Sequence, residues 1–141
     1  MPRYFWEYPI TGDTKRHATR GVGPATDYDT PTGTPVHMPI SGKVTKGWLS
    51  DTGHYIDIEN STYKIRLCHL RAPGKTGWRL WRTVVAYSGA TGNVTGPHVH
   101  GYVIVKKTGR RVSMTEWLRD YVNKGKVSKL PYNTRKFLGV K

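Results

Sequence analysis

The chain has 141 residues, of which 36% are hydrophobic and 11% aromatic, a composition that supports one domain with a buried core and excludes an intrinsically disordered chain. Its 23 Lys and Arg outnumber its 9 Asp and Glu, and the formal net charge of +14 favours contacts with polyanions. No segment approaches about 18 consecutive apolar residues, which argues against a membrane span, and the single cysteine, Cys68, excludes an internal disulfide and a cysteine-based zinc cluster.

The N-terminal segment, residues 1–19, lacks the apolar stretch of a secretory signal peptide. We therefore expect synthesis in a host cytoplasm without a leader. Farther along, Asp27 and Asp29 precede a turn rich in Pro and Gly, "TPTGTP" at 30–35. An Asp in such a position is typical of an Asx turn, and it becomes a candidate metal ligand only if other ligands lie nearby.

Short segments rich in β-branched and aromatic residues begin at residue 34 and are separated by turn-forming Gly, Pro, Asp and Asn. Their pattern predicts strands at 34–40, 42–49, 54–60, 63–70, 83–89 and 98–107. Strands at such spacing favour a mainly β fold, an antiparallel β-sheet or β-sandwich. We place this β-domain at residues 20–111.

Two histidines, His98 and His100, stand two apart at the start of the last predicted strand. Because alternate strand residues share a face, both imidazoles project to one side, about 7 Å apart, and Tyr102 follows them. A His-X-His pair by itself is weak evidence for a metal site, since most such pairs lie on the surface of β proteins.

The segment "YKIRLCHL" at 63–70 ends in a third histidine, His69. Strand alternation places His69 with Ile65 and Leu67 and places Cys68 on the opposite face. Cys68 is therefore left out as a ligand or nucleophile. Taken alone, His69 is more typical of a core-edge histidine than of a functional one.

One helix is predicted at 112–125, where Ser113 and Glu116 form a capping box and Gly125 ends the helix. Its apolar residues share one face, which is expected to pack on the core: Met114, Trp117, Leu118, Tyr121 and Val122. Residues 126–141 are basic and without a regular period. For them we predict an extended basic C-terminal arm that docks on a partner or back on its own domain.

Three segments taken together carry a resemblance: "DYDTPTGTPVHMPISGKV" at 27–44, "YKIRLCHL" at 63–70 and "SGATGNVTGPHVHGYV" at 88–103. They resemble the lysostaphin/LytM-type zinc metallopeptidases (peptidase M23-like, with a duplicated hybrid motif fold), which cut peptide cross-bridges of bacterial peptidoglycan. The resemblance covers residues 20–105. It implies a lysostaphin-like β-domain followed by the helix and the arm.

The resemblance also implies roles for individual residues. The family holds zinc through the His and Asp of an HxxxD motif and the second His of HxH, of which Asp27 and His100 match the last two. The family's catalytic histidines match His69 and His98. Such a division suits zinc hydrolysis, because the metal lowers the pKa of its water while neighbouring groups handle the proton and the developing charge.

The chain departs from this pattern at the first zinc ligand. Four residues before Asp27 stands Gly23, which has no side chain to offer a metal. His17, ten residues before Asp27, is a candidate replacement on grounds of reach alone, and a solvated loop position is the alternative for it.

Two functions follow from the resemblance. The missing ligand favours a degenerate relative that acts in cell-wall binding or assembly, as a tail-associated virion protein of a bacteriophage; the alternative is an active zinc endopeptidase, either an endolysin released at lysis or a tail-tip lysin. The expected partners are peptidoglycan or another acidic cell-wall polymer, and neighbouring virion subunits through the basic arm. Nonspecific nucleic-acid binding is a third alternative that rests on charge alone, since no motif indicates specific recognition.

Overall fold

The computed structural model describes residues 3–12, 23–92, 94, 96–124 and 129–139. Within these ranges the strands are β1 (Ile10–Gly12), β2 (Thr26–Tyr28), β3 (Pro35–His37), β4 (Gly42–Leu49), β5 (Gly53–Glu59), β6 (Tyr63–Leu70), β7 (Gly77–Arg79), β8 (Val84–Tyr87), β9 (Val99–Val105) and β10 (Arg110–Ser113). The helical segments are a 3-10 turn (Phe5–Glu7), α1 (Met114–Trp117), its π-helical continuation (Leu118–Val122) and α2 (Tyr132–Leu138).

One antiparallel sheet organises the molecule. Its strands follow the order β1-β2-β9-β6-β5-β4-β7, and β10 extends it by pairing with β9. Strand β2 pairs with the first half of β9 and β10 with the second half, on the edge of β9 that is turned away from β6. Strands β3 and β8 form a separate two-stranded sheet. The mainly antiparallel β fold predicted from the sequence is confirmed.

Alternation along β9 decides which side of the sheet carries chemistry. Val99, Val103 and Val105 are buried in the core, as is the backbone at Gly101, and the residues that alternate with these four lie on the opposite face and are partly accessible. That opposite face carries His100 and Tyr102. The core itself joins side chains of both sheets, the N-terminal turn and α1: Phe5, Val36, Met38, Val44, Ile56, Ile58, Ile65, Leu67, Val85, Val112, Met114 and Trp117.

All six predicted strands are present, with ends that differ by a few residues. Four further strands were not predicted from the sequence: β1, β2, β7 and β10. Each has only three or four residues and lies outside the longer β-branched and aromatic segments on which the prediction rests. Strand β2 is the most consequential of them, because it carries Asp27.

The predicted helix is present from Met114 to Val122, and its cap is as expected, since the Ser113 hydroxyl accepts a 3.1 Å hydrogen bond from the Glu116 amide. Met114, Trp117 and Leu118 are buried as predicted, but Val122 is 45% exposed. The helix changes from α to π geometry after Trp117, which rotates the last turn away from the register that a 3.6-residue period predicts. Gly125 lies outside the described residues.

The C-terminal segment differs from the extended arm that its sequence predicted. Residues 132–138 form α2, and the Asn133 side-chain amide donates hydrogen bonds to the carbonyls of Trp6 and Tyr8. Leu130 and Thr134 are buried. Docking on the N-terminal segment supplies the burial that stabilises so short a helix. The sequence predicted that the arm docks either on a partner or on its own domain, and the described part of it docks on its own domain. No helix among the described residues is long and apolar enough to cross a membrane.

Candidate metal centre

The register of the sheet places Asp27 beside His100. The two residues are direct partners in the β2–β9 ladder, and opposite residues of an antiparallel pair share a face. The His100 Nδ1 donates a 2.8 Å hydrogen bond to the Asp27 Oδ1. The same carboxylate oxygen lies 3.5 Å from the Nε2 of His98, which immediately precedes β9. Asp27 therefore contacts both histidines of the HxH pair.

His69 reaches this cluster through an irregularity in β6. Between Ile56 and His54 of β5 the facing strand advances by three residues, from Leu67 to Leu70, instead of two. The extra residue is accommodated by a left-handed backbone at His69, with φ of 64°. Bulges of this kind redirect a side chain from the face that alternation assigns to it.

The face predicted for His69 is wrong, because the bulge turns its side chain away from the core. Leu70, not His69, continues the core stripe of Ile65 and Leu67. The His69 ring instead lies 4.6 Å from the ring of His98 and 5.8 Å from that of His100, centroid to centroid. A non-glycine residue with positive φ costs about 1 kcal/mol, and here this cost accompanies the assembly of a three-histidine cluster.

The Nδ1 atoms of two histidines donate to backbone carbonyls. Carbonyl oxygens only accept, so His69 Nδ1 donates to the Thr91 oxygen at 2.8 Å, and His98 Nδ1 donates to the Gly96 oxygen at 3.1 Å. In both rings Nδ1 thus carries a proton. Burial lowers the pKa of His69 to about 4, and the neighbouring His98 and His100 act in the same direction. His69 is therefore neutral at pH 7.

The donor set suits a zinc ion. Ligand atoms of His69, His98 and His100 all lie within 4.8 Å of one another, and the Asp27 carboxylate adjoins two of these rings. Imidazole nitrogens with a carboxylate oxygen are typical zinc donors, and a catalytic zinc ordinarily takes three protein ligands. Enough donors for such a site are present in the described part of the chain.

Cys68 lies next to this cluster without the properties of a nucleophile. It is the register partner of His100 and is almost completely buried. Burial raises the pKa of its thiol to about 12. The thiol is therefore protonated at neutral pH, in keeping with its omission from the predicted site.

The space that a side chain at position 23 would need is filled by Arg111. A Cβ built on Gly23 would lie 3.0 Å from both Cζ and Nε of Arg111. Arg111 donates from Nε to the Pro24 carbonyl at 2.8 Å, and its guanidinium stacks over the ring of Tyr102 at 3.5 Å. Sequence reasoning missed Arg111, since the four-residue strand β10 that carries it gave no periodic signal.

Other acidic, histidine and tryptophan side chains of the described residues are not members of the cluster. Asp29 is exposed, and His54 stacks edge-on against Trp48, with ring centroids 4.8 Å apart. Trp48, Trp78 and Trp81 are at least half exposed on β4, on β7 and in the segment after β7, whereas Tyr102 adjoins the ring of His100. His17 lies outside the described residues.

Comparison with known proteins identifies the family to which the chain belongs. The model of the family described as "Peptidase family M23" matches residues 22–114, about two-thirds of the chain. The chain belongs to peptidase family M23. The matched range contains the three clustered histidines and Asp27, so the segments that carry the resemblance are those that assemble the site.

Two relatives of this M23 domain come from Vibrio cholerae. This chain is 38% identical to the peptidoglycan DD-endopeptidase ShyB over 104 residues. The aligned region covers 71% of this chain and 23% of ShyB. The chain is also 40% identical over 97 residues to the peptidoglycan DD-endopeptidase ShyC, 66% of this chain and 21% of that protein. The M23 domain thus spans less than a quarter of the length of either relative.

Solved structures agree with the fold. A zinc-containing peptidase from Vibrio cholerae superposes with a TM-score of 0.62 at 38% identity, over 78% of this chain and 39% of the other. Lysostaphin from Staphylococcus simulans gives a TM-score of 0.60 at 25% identity, over 70% and 43% of the two chains. The lysostaphin-like fold predicted from the sequence is confirmed.

Proposed function

We propose that this M23 domain is a zinc-dependent endopeptidase that acts on the peptide part of peptidoglycan. The observation that carries the proposal is the convergence of Asp27, His69, His98 and His100, from three strands and a loop, on one accessible face of the sheet. Asp27 and His100 are assigned as zinc ligands, and His69 and His98 as catalytic residues. The peptidoglycan substrate is supported by the relatives ShyB and ShyC, whose names describe peptidoglycan endopeptidases.

The residues present divide the chemistry of amide hydrolysis among themselves. Zinc, when bound, supplies Lewis acidity toward a water and the scissile carbonyl. His69 is neutral with its proton on Nδ1, so its Nε2 is free to accept a proton from the attacking water. The imidazolium that results stabilises developing negative charge and can return the proton to the leaving amine. His98 lies beside Asp27, with its Nε2 3.5 Å from the carboxylate oxygen, and its Nδ1 hydrogen bond to the Gly96 carbonyl orients the ring.

The third ligand is assigned to His17. Gly23 has no side chain to offer a metal, and Arg111 fills the space where a side chain at position 23 would lie. His17 stands ten residues before Asp27, a chain length that spans up to about 33 Å when extended. The assignment rests on that reach and on the assignment of His69 and His98 to catalysis, which leaves a zinc that takes three protein ligands one ligand short.

The zinc content of the purified, dialysed protein tests the proposal, measured by elemental analysis beside digestion of insoluble peptidoglycan. We expect near-stoichiometric zinc and release of soluble fragments in the wild type, and loss of both in His17→Ala and His100→Ala. His54→Ala is the matched control, because His54 lies outside the cluster. A wild type that neither retains zinc nor cleaves peptidoglycan when zinc is added back contradicts the proposal.

A second function, cell-wall binding without catalysis, is favoured by one observation. The first ligand of the family motif is absent, and a cationic side chain lies against that position. In this alternative the fold and the net charge of +14 serve attachment to peptidoglycan or another acidic wall polymer. Cosedimentation with walls that is unchanged by chelator, without release of fragments, supports this function over the first.

For location, we propose a bacteriophage particle, with the domain attached to the tail, or release at host lysis. The support is the basic surface, which suits acidic virion subunits as well as acidic wall polymers. Quantitative mass spectrometry of purified particles tests it. A constant number of copies per particle supports tail attachment, and its absence from particles but presence in lysates supports a lysin.

A further inference from the structure

Arg111 occupies a corner of the face that carries the histidines. It is the register partner of Ile104 in the β10–β9 ladder, and Ile104, Tyr102 and His100 alternate along one face of β9. Its guanidinium covers the Tyr102 ring at 3.5 Å, and that ring lies 6.4 Å from the ring of His100. Arg111 pairs with a residue four positions from His100, but its guanidinium, over Tyr102, lies only about two strand positions, roughly 7 Å, from His100 along β9.

The backbone of residues 23 and 24 holds this guanidinium in place. Nε donates to the Pro24 carbonyl at 2.8 Å, and one terminal nitrogen makes a longer contact of 3.4 Å with the Gly23 carbonyl. A side chain at position 23 would need the space that the guanidinium fills, since its Cβ would lie 3.0 Å from Cζ. The glycine at 23 and the placement of Arg111 are thus one structural feature.

Arg111 differs from its neighbouring arginines in its charge balance. Arg66 pairs with Asp57, Arg110 with Glu116 and Arg119 with Asp120. Among the described residues Arg111 forms no ion pair, although it is partly buried. Burial lowers its pKa, which means that the cation is poorly solvated in this corner. An anionic partner would offset that loss of solvation.

We propose that Arg111 binds a free carboxylate of the peptide ligand, beside the histidine cluster. The inference rests on the proposed function, because it assumes that a peptidoglycan peptide occupies this face. The guanidinium edge that carries the terminal nitrogens offers the paired donors that recognise carboxylates. A ligand reaching from the cluster to Arg111 spans about two residues at the rise of an extended chain.

Binding of a pair of ligands to the purified protein tests this assignment. The first is an uncross-linked stem peptide with free carboxylates, which offers no cross-bridge to cut, and the second is the same peptide with its carboxylates converted to amides. Isothermal titration compares both ligands on the wild type, Arg111→Gln, Arg111→Lys and Arg110→Gln. Arg110→Gln is the matched control, because it removes the same charge one residue away, where the side chain is exposed and pairs with Glu116.

The expected result is a preference of tenfold or more for the free peptide in the wild type, the order expected of a charge-assisted hydrogen bond. Arg111→Gln should abolish the preference, Arg111→Lys should keep part of it, and Arg110→Gln should leave it intact. Equal wild-type affinity for the two peptides, or equal losses in the Gln variants of Arg111 and Arg110, would overturn the assignment. The wild-type comparison stands even if a variant fails to fold.

Absence of any peptide binding also overturns the assignment, and a parallel assay then decides the fate of the proposed function. Wild-type protein that digests or cosediments with insoluble peptidoglycan, without distinguishing the two peptides, leaves the proposed function intact and removes only the role of Arg111. If the wild-type protein neither digests nor cosediments with peptidoglycan, the proposed function and the role of Arg111 are both ruled out.

Discussion

Asp27 and His100 are separated by 73 residues in the chain and joined by a 2.8 Å hydrogen bond between Oδ1 and Nδ1. The bond exists because β2 pairs with β9 in a register that sets these two residues opposite each other. A slip of one residue in that register would turn Asp27 to the core face and destroy the site. The pairing of a three-residue strand thus determines whether the HxH motif has a carboxylate partner.

Removing either residue of this pair should remove zinc. In Asp27→Ala or His100→Ala we expect zinc affinity to fall by more than the 10- to 100-fold that loss of a supporting contact typically costs. Competition with a chromogenic chelator measures the affinity. Asp29→Ala is the control, because it deletes an exposed carboxylate two residues away and should retain zinc. Equal affinity in all three variants would show that zinc, if bound, is held elsewhere.

His69→Ala should separate catalysis from metal binding. If His69 transfers a proton, the rate of peptidoglycan cleavage falls by roughly 10²- to 10⁴-fold, while the zinc content stays at the wild-type level. A dye-release assay on labelled walls measures the rate. His54→Ala, the control, should cleave normally. Loss of zinc together with activity in His69→Ala would instead make His69 a ligand.

Asp57 is expected to matter for stability. It is 7% exposed, and Arg66 of the neighbouring strand donates hydrogen bonds of 2.8 and 2.9 Å to its two carboxylate oxygens. Asp57→Ala leaves the partly buried guanidinium without its partner and should lower the free energy of unfolding by about 3 kcal/mol. Glu59→Ala breaks an exposed pair with Lys106 and should cost under about 1 kcal/mol. Urea denaturation of both variants checks the contrast, which similar losses would refute.

His37 should make the stability dependent on pH. Burial, aided by the positive charge of Arg3, lowers its pKa in the folded chain below the ordinary value of 6.5. The unfolded chain therefore binds a proton more readily, so this contribution is present above about pH 6.5 and is lost as the pH falls below it.

Urea midpoints at pH 7.5 and pH 5.0, in chelator, measure this dependence. The decrease on acidification should be smaller in His37→Gln than in the wild type, because the glutamine does not titrate. The same decrease in both proteins would rule out a contribution of His37.

The sequence was most informative where its signals were local. The segments that form the four longest strands, β4, β5, β6 and β9, are rich in β-branched and aromatic residues, and the Ser113 cap marks the start of α1. The family motifs pointed, from their neighbours in the chain, to the four residues that the structure brings together, Asp27, His69, His98 and His100. None of these signals extends beyond a few residues, and for that reason each was readable without the fold.

The sequence was misleading where a distant contact overrides a local pattern. Strand alternation put His69 on the core face, but the bulge in β6 turns it toward His98. The basic C-terminal segment has no helical period, yet docking on the N-terminal segment makes part of it helical. In both cases the deciding free energy comes from residues far away in the chain.

By itself, the sequence determined the mainly β fold, the family and the residue types of the site, because motif spacing and strand periodicity are properties of short segments. Only the tertiary structure decided that Asp27 meets His100, that a bulge delivers His69, and that Arg111 fills the corner left by Gly23. Register, bulges and the space beside a glycine depend on which strands become neighbours. That pairing is set by packing of the whole core, which no single segment encodes.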